Sequence, residues 1–387
     1  MIRLRKSLIS RHLQGRGSRK MSNAKDQITP GQLIFLITQT QIGVGLLGLA
    51  SRVHNTAKGD AWISVLLAGM LAQLFIFIIW CLNKRFPSLT LFDYLPKLLG
   101  KAIGKLIQVL YAVYFILVSS FIVIQFSSTV RDWVLFDTPR WIVMGIMIGV
   151  SYYLARESLR TIARFFALVF FCNIAVIIIA AFAYLHVNFL YVLPVGQAGI
   201  WNIAKGAHEA MTSFSGYEML LICYPFVEGG STMKLKAATA ANIFTTLMYT
   251  FAIFTSLIVF SPPELELLPQ PLLYMVKALS FSVVERPDLY FLSLWVVVAS
   301  TSTIGYLFMA SRGGANLFQA RSTHRKAVPY VAVLVFVIAL IFQAPNMIGP
   351  LSKFLAIANY VFVFGIPVVL FMISVLFKEK EARGSIG

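Results

Sequence analysis

Long apolar runs separated by short polar loops dominate the chain. Runs of bilayer length fall at 31–50, 61–82, 106–130, 141–155, 163–185, 201–225, 237–260, 289–311, 328–344 and 354–377. About 20 apolar residues suffice for a helix to cross the hydrocarbon core, so these ten runs predict ten transmembrane helices. The fourth is the shortest. The stretch 271–283, PLLYMVKALSFSV, is amphipathic and too short to cross; it predicts a surface helix between spans seven and eight. A transmembrane barrel requires short segments of alternating polarity, and these runs are continuously apolar. The pattern therefore predicts an all-α membrane protein.

Two runs are interrupted. Span one carries TQTQIGVGLLGLA, with Gly43 and Gly45 at its centre and Gln39, Gln41 and Gly48 around them. Span six carries SFSGYEML, from Ser213 through Gly216 to Glu218. A break in lipid leaves backbone groups unpaired, and is tolerated where it is buried in protein or lines a cavity. Ten spans divide as five plus five, and each half then begins with a broken helix. Paired breaks in corresponding places point to a transporter-type binding site. An odd number of spans per half turns the second half over, so the pattern predicts a 5+5 inverted repeat. Its parts are a basic tail 1–30, repeats at 31–185 and 201–377, and a second tail 378–387. At each break, half-helix N-termini offer amides to a carboxylate, and C-termini offer carbonyls to an ammonium or cation. Helix packing through small residues is the competing explanation for Gly43, Gly45 and Gly48.

Composition agrees with this reading. Hydrophobic residues make up 58% of the 387 and charged residues 12%, about half the charged share of a soluble globule. The net charge of +18 invites a nucleic-acid partner, but the basic residues lie between apolar runs without clustering on one soluble face. They read as topology signals. Twenty-five fall in the N-terminal tail, alternate loops and the C-terminal tail; seven fall on the other side, namely Arg52, Lys58, Arg131, Arg140, Lys277, Arg286 and Lys353. This asymmetry places both termini in the cytoplasm. No cleavable signal peptide is expected, because the basic start lacks a short apolar core and a small-residue cleavage site. Span one would serve as the insertion signal, and MSNAKDQITPGQ, from Met21, reads as a possible start. Cys81, Cys172 and Cys223 all fall in apolar runs and imply packing, with neither disulfide nor metal spacing.

The ordered set of motifs resembles the amino acid–polyamine–organocation transporters and, within them, the spore germination permeases, the B subunits of germinant receptors. ITPGQLIFLITQTQIGVGLL is similar to that family's opening, FDTPRWIV to its Thr-Pro element before span four, and FSGYEMLLICYPFV to its Gly-Tyr-Glu followed by a proline. The likeness runs from Ile28 to the C-terminus. One departure is Ala50, where the family usually places a proline. The resemblance implies the ten-helix inverted-repeat fold of the bacterial leucine transporter. It implies a small-molecule germinant site at the breaks of spans one and six, walled by spans three and eight. It also implies assembly with a larger A subunit and a lipid-anchored C subunit in the spore inner membrane.

The candidate ligand-binding residues follow. Gly43, Val44 and Gly45 form the first break, and Phe214, Ser215 and Gly216 the second. Glu218 is the deepest acid in any span; it is a polar anchor, a protonatable group or a structural hydrogen-bond acceptor, since intramembrane acids usually face a cavity or partner. In span eight, Ser302 and Tyr306 share a face at i, i+4; the region can hold sodium in related transporters, and helix back-bonding is the alternative use of its hydroxyls. In span three, Val118 and Ile122 are placed to touch an apolar ligand side chain, with Ser119 and Gln125 as further candidates. His208 and Glu209 lie a turn before the second break and face either a vestibule or structural partners. No metal or cofactor is expected, and no nucleophile–base constellation or phosphate loop suggests an enzyme. The expected function is germinant sensing, with an amino acid as the first candidate ligand and a nucleoside or sugar as others. A proton- or sodium-coupled amino-acid symporter is the alternative.

Overall fold

The computed structural model describes residues 26–185, 187–279, 286–317 and 324–377. The helices that matter are α1 Pro30–Gln41, α2 Gly45–Ala57, α3 Ala61–Arg85, α4 Leu91–Trp133, α5 Arg140–Ala155, α6 Leu159–Ala181, α7 Gly199–Met211, α8 Leu220–Cys223, α9 Ser231–Val259, α10 Pro262–Leu267, α11 Pro271–Ala278, α12 Pro287–Leu317, α13 Val328–Phe342, α14 Pro345–Asn359 and α15 Ile366–Leu376. Spans two, three, five, seven, eight and ten are long and apolar enough to cross a membrane, and α5 and α13 are shorter apolar helices. The interrupted pairs α1–α2 and α7–α8 complete ten crossings among the described residues.

Local sequence sets the ends. Thr29 caps α1 reciprocally: its hydroxyl accepts from the Gln32 amide at 3.2 Å, and the Gln32 side chain accepts from the Thr29 amide at 3.0 Å. Pro30 follows at the first helical position, where a missing N–H costs nothing. This is the physical content of ITPGQ. Thr90 and Asp93 repeat the device at α4, which bends at Gly100, where φ is 77°.

Helix packing exchanges the two halves. Span two lies along α7, the first part of span six, while span seven lies along α1, the first part of span one. A two-fold relating the halves requires this reciprocity. Spans three and eight share the most extensive helix contact. Span eight is the axis of the bundle, with 78% of its apolar window buried inside the protein against 28% for span five. Span five therefore presents most of its surface to lipid.

Several boundaries differ from those predicted. Span one continues to Ala57, so Arg52, read as a loop charge, lies within a helix. Span ten begins at Pro345 rather than 354; Pro350, Ser352 and Lys353 depress hydropathy there without interrupting the helix. The segment predicted to lie on the surface between spans seven and eight is helical as α11, over Pro271–Ala278, but it packs into the bundle, with Pro271, Leu272, Leu273, Met275 and Val276 buried; residues 280–285 lie outside the described set. Residues 26–29 precede the first repeat but are tied into the bundle: Ile28 is fully buried and pairs its backbone with Phe226 and Glu228. Tail residues 1–25 and 378–387 lie outside the described residues.

Candidate functional site

The breaks fall where expected in sequence and touch each other in space. Ile42 leaves α1 with extended backbone angles, and helix resumes at Gly45. In span six the α-helix stops at Met211, Ser215 is extended, and Gly216 adopts φ 129°. A side chain at Gly216 would be strained at that angle, and its Cβ would lie 2.6 Å from the Gln41 amide nitrogen. The two breaks therefore meet backbone to backbone.

Hydrogen bonds fix this crossing. The Gln41 side-chain amide donates to the Phe214 carbonyl at 2.9 Å, and the Tyr249 hydroxyl lies 2.9 Å from the carbonyls of both Gln41 and Ser213. From span eight, Thr301 donates to the Gln39 carbonyl at 3.0 Å, and Ser302 lies 3.2 and 3.1 Å from the carbonyls of Gln39 and Ile42. Glu218 is fully buried. One carboxylate oxygen accepts from the Gly216 amide and the other from the Tyr306 hydroxyl, each at 2.6 Å. Glu218 thus clamps the second break to span eight.

A cavity of about 110 Å³ opens beside the crossing. Its polar lining includes Thr40, Gln41, Arg52, Tyr114, Thr212, Ser213, Ser302, Tyr306, Ser352 and Asn359, and its apolar wall Val118, Phe121, Ile122, Leu355 and Ala356. Of the candidates named from sequence, Gly43, Val44, Gly45, Val118, Ile122, Ser215, Ser302 and Tyr306 line this space. Phe214, Gly216 and Glu218 do not: Phe214 is buried edge-on to Tyr249, Gly216 is pressed against α1, and Glu218 stands behind Tyr306. Ser119 is buried, and Gln125 is outside the lining. His208 stacks on Tyr360 at 5.2 Å between ring centres, with its Nδ1 2.7 Å from the Tyr360 hydroxyl.

Sequence reasoning missed Arg52 and the whole contribution of span ten. Arg52 follows Gly45 by seven residues, two helical turns, which puts both on one face. Ser352, Leu355, Ala356 and Asn359 follow i, i+3, i+4, i+7 spacing, the sign of one helix face. Tyr114 and Phe121 share the face of Val118 by the same rule. Among the described residues no group of His, Cys, Asp or Glu is arranged to hold a metal.

The cavity lies at the crossing itself, lined by the end of α1, the start of α2, the middle of α4, the end of α7, the middle of α12 and the body of α14. At the end where span one begins, the spans are tied together. Asp26 pairs with Arg312 at the end of span eight, and its other oxygen accepts from the Leu159 amide that opens span five. Arg312 also sits over the rings of Phe226 and Phe308, at 5.3 and 4.9 Å. Spans five, six and eight are thereby drawn together around residues 26–28.

Broken helices crossing at mid-bundle, exchanged packing of the two halves and a cavity at the crossing define a membrane protein of the leucine-transporter-like fold. Mhp1, a nucleobase-cation-symport-1 family transporter solved in a closed conformation with bromovinylhydantoin bound, superposes with a TM-score of 0.61, covering 89% of this chain and 78% of that one at 11% identity. The family model described as spore germination protein matches residues 27–348, and the chain belongs to that family. Relatives include spore germination protein GerQB of Bacillus cereus, 29% identical over 90% of this chain and 95% of that protein. Spore germination protein YndE of Bacillus subtilis (strain 168) is 26% identical over 78% and 84%, and spore germination protein A2 of the same organism 25% over 91% and 96%.

Proposed function

We propose that the chain is the germinant-sensing integral membrane subunit of a spore nutrient receptor. It binds a small molecule, an amino acid first among candidates, in the cavity where spans one and six break, and signals to A and C partner subunits. It sits in the spore inner membrane with both termini cytoplasmic. The observation that carries the reading is the cavity itself: both breaks bound it, and contacts of Asp26 and Ile28 tie spans five, six and eight together at the end where span one begins. A volume of about 110 Å³ is far below the ~300–1,000 Å³ of sites for drug-sized ligands, and suits a metabolite of a few heavy atoms. A ligand that binds the sealed and opened arrangements unequally shifts the balance between them, and the partners read that shift.

The likeness to a cation-coupled symporter favours a second reading, proton- or sodium-coupled uptake of an amino acid. Uptake of labelled amino acids into proteoliposomes containing this chain alone separates the two. Sensing predicts binding without concentrative accumulation. Robust accumulation driven by a proton or sodium gradient would replace the sensor reading with the symporter.

A further inference from the structure

Arg52 is a guanidinium within a membrane span, and among the described residues no carboxylate pairs with it. Its Nη2 donates to the Ser213 hydroxyl at 2.7 Å and reaches the Gly45 carbonyl at 3.4 Å. Ser213 sits at the second break, so the guanidinium spans both interrupted helices at the cavity wall. Glu209 on α7 is the acid whose charge reaches it, without a direct pair. Arg52 is exposed while lining the cavity, so its charge is open to an entering ligand, and a guanidinium presents a planar fork matched to carboxylate. Beside it, α2 begins at Gly45 with no side chain capping its first turn, and the dipole of that end favours negative charge.

The opposite chemistry is already satisfied. The carbonyls of Gln39, Gln41, Ile42, Ser213 and Phe214 face donors of the protein itself: Thr301, Ser302, Tyr249 and Gln41. The symmetric expectation, amides for a carboxylate and carbonyls for an ammonium, therefore holds on one side only. The cavity has an unpaired cationic anchor and carbonyls that are engaged.

We infer that Arg52 is the specificity-determining residue of the cavity and reads the carboxylate of a small organic acid, with the ammonium of an amino acid contributing little. The ligand class is then small carboxylates, amino and 2-hydroxy acids alike, whose side chain packs on Val118, Phe121 and Ile122. This rests on the reading of the cavity as a ligand site and narrows it.

The test is ligand-dependent thermal shift of the purified full chain. A panel of the twenty amino acids, their common 2-hydroxy acids, nucleosides and hexoses identifies the best binder. If that is an amino acid, its carboxamide and its 2-hydroxy acid are compared with it. The carboxamide is expected to bind at least about tenfold more weakly, and the hydroxy acid within about tenfold, because removing a charge-assisted partner outweighs removing a neutral one. Arg52→Gln is expected to lose about tenfold or more for both acids while its ligand-free melting point stays near wild type, and Arg52→Lys to recover part of the loss. A carboxamide that binds as well as its acid, or Arg52→Gln with unchanged affinity, overturns the inference and leaves the site standing. A nucleoside or hexose as sole binder overturns the inference too. No shift with any compound overturns both. If Arg52→Gln does not fold, the comparison of acid, amide and hydroxy acid on wild type decides alone.

Discussion

At the scale of single residues, Gly216 and Glu218 are one device. Gly216 takes a backbone angle open to glycine and lets α1 approach, and Glu218 fixes the resulting turn through its own loop amide and Tyr306. Gly216→Ala is expected to destabilise by about 1–3 kcal/mol from backbone strain alone, with more from the contact on Gln41, read as a lower melting temperature. Glu218→Leu leaves a buried amide and a buried hydroxyl without their acceptor, at about 1–3 kcal/mol each; Glu218→Gln keeps an acceptor and is expected to fall between. Equal melting points for Leu and wild type would remove the clamp from the account. Gly216 and Glu218 were legible in SFSGYEML because an intramembrane acid beside a glycine, in a run matching the break of span one, is not explained by helix packing alone. Their position behind the wall was not, because one sequence gives the break but not the direction each residue faces. Arg52 escaped for a related reason. It lies just past the last apolar residue of its run, where a charge is ordinarily interfacial, and only the packing of α2 beside Ser213 turns it to the cavity.

At the scale of elements, the short segment 26–28 has influence beyond its length. Asp26 joins spans five and eight, and Ile28 joins span six. Removing one partner of a mostly buried ion pair costs about 3 kcal/mol. Asp26→Asn is therefore expected to loosen the tail side. Cys223, fully buried in the last turn of α8 and three residues before Phe226, reports it. In a Cys81→Ser/Cys172→Ser background, permeant maleimide should modify Cys223 about tenfold or more faster in Asp26→Asn, and Arg312→Ala should do the same. Unchanged protection in both would show that the pair does not hold the closure. Nearby, outside the spans, His324 is buried under Phe308. Loss of hydration, helped by Arg312, lowers its pKa from near 6.5 to about 4. The folded state thus disfavours the charged form. The stability this gives is complete above about pH 6.5 and declines as pH falls towards 4. His324→Gln is expected to flatten that part of the melting profile; an unchanged slope would assign it to other groups. The element plan itself was readable, with ten runs and two breaks. The start of span ten was not, because Pro350 and Lys353 dilute hydropathy over residues that α14 nevertheless carries through the bundle. That hidden stretch supplies Ser352 to the cavity wall, and Leu355, Ala356 and Asn359 follow from within the predicted run.

At the scale of the whole molecule, charge asymmetry and cavity placement make one joint prediction. Under the proposed orientation, with both termini cytoplasmic, the Asp26–Arg312 tie lies on the cytoplasmic side of the crossing, and the cavity is expected to be reached from the outside. Ser352, half-buried on α14 and lining the cavity, is the position to test. Ser352→Cys, with Cys81 and Cys172 replaced by serine, should react with a membrane-impermeant thiol reagent added outside right-side-out vesicles. In inverted vesicles it should be protected. The best-binding compound from the thermal-shift panel should slow the outside reaction, because it fills the space the reagent must enter. Reaction from the cytoplasmic face alone would reverse the orientation and, with it, the route by which a nutrient outside reaches the site. Reaction from both faces would mean that the Asp26–Arg312 closure does not persist in the bilayer, and coupled transport would then fit the molecule better than sensing.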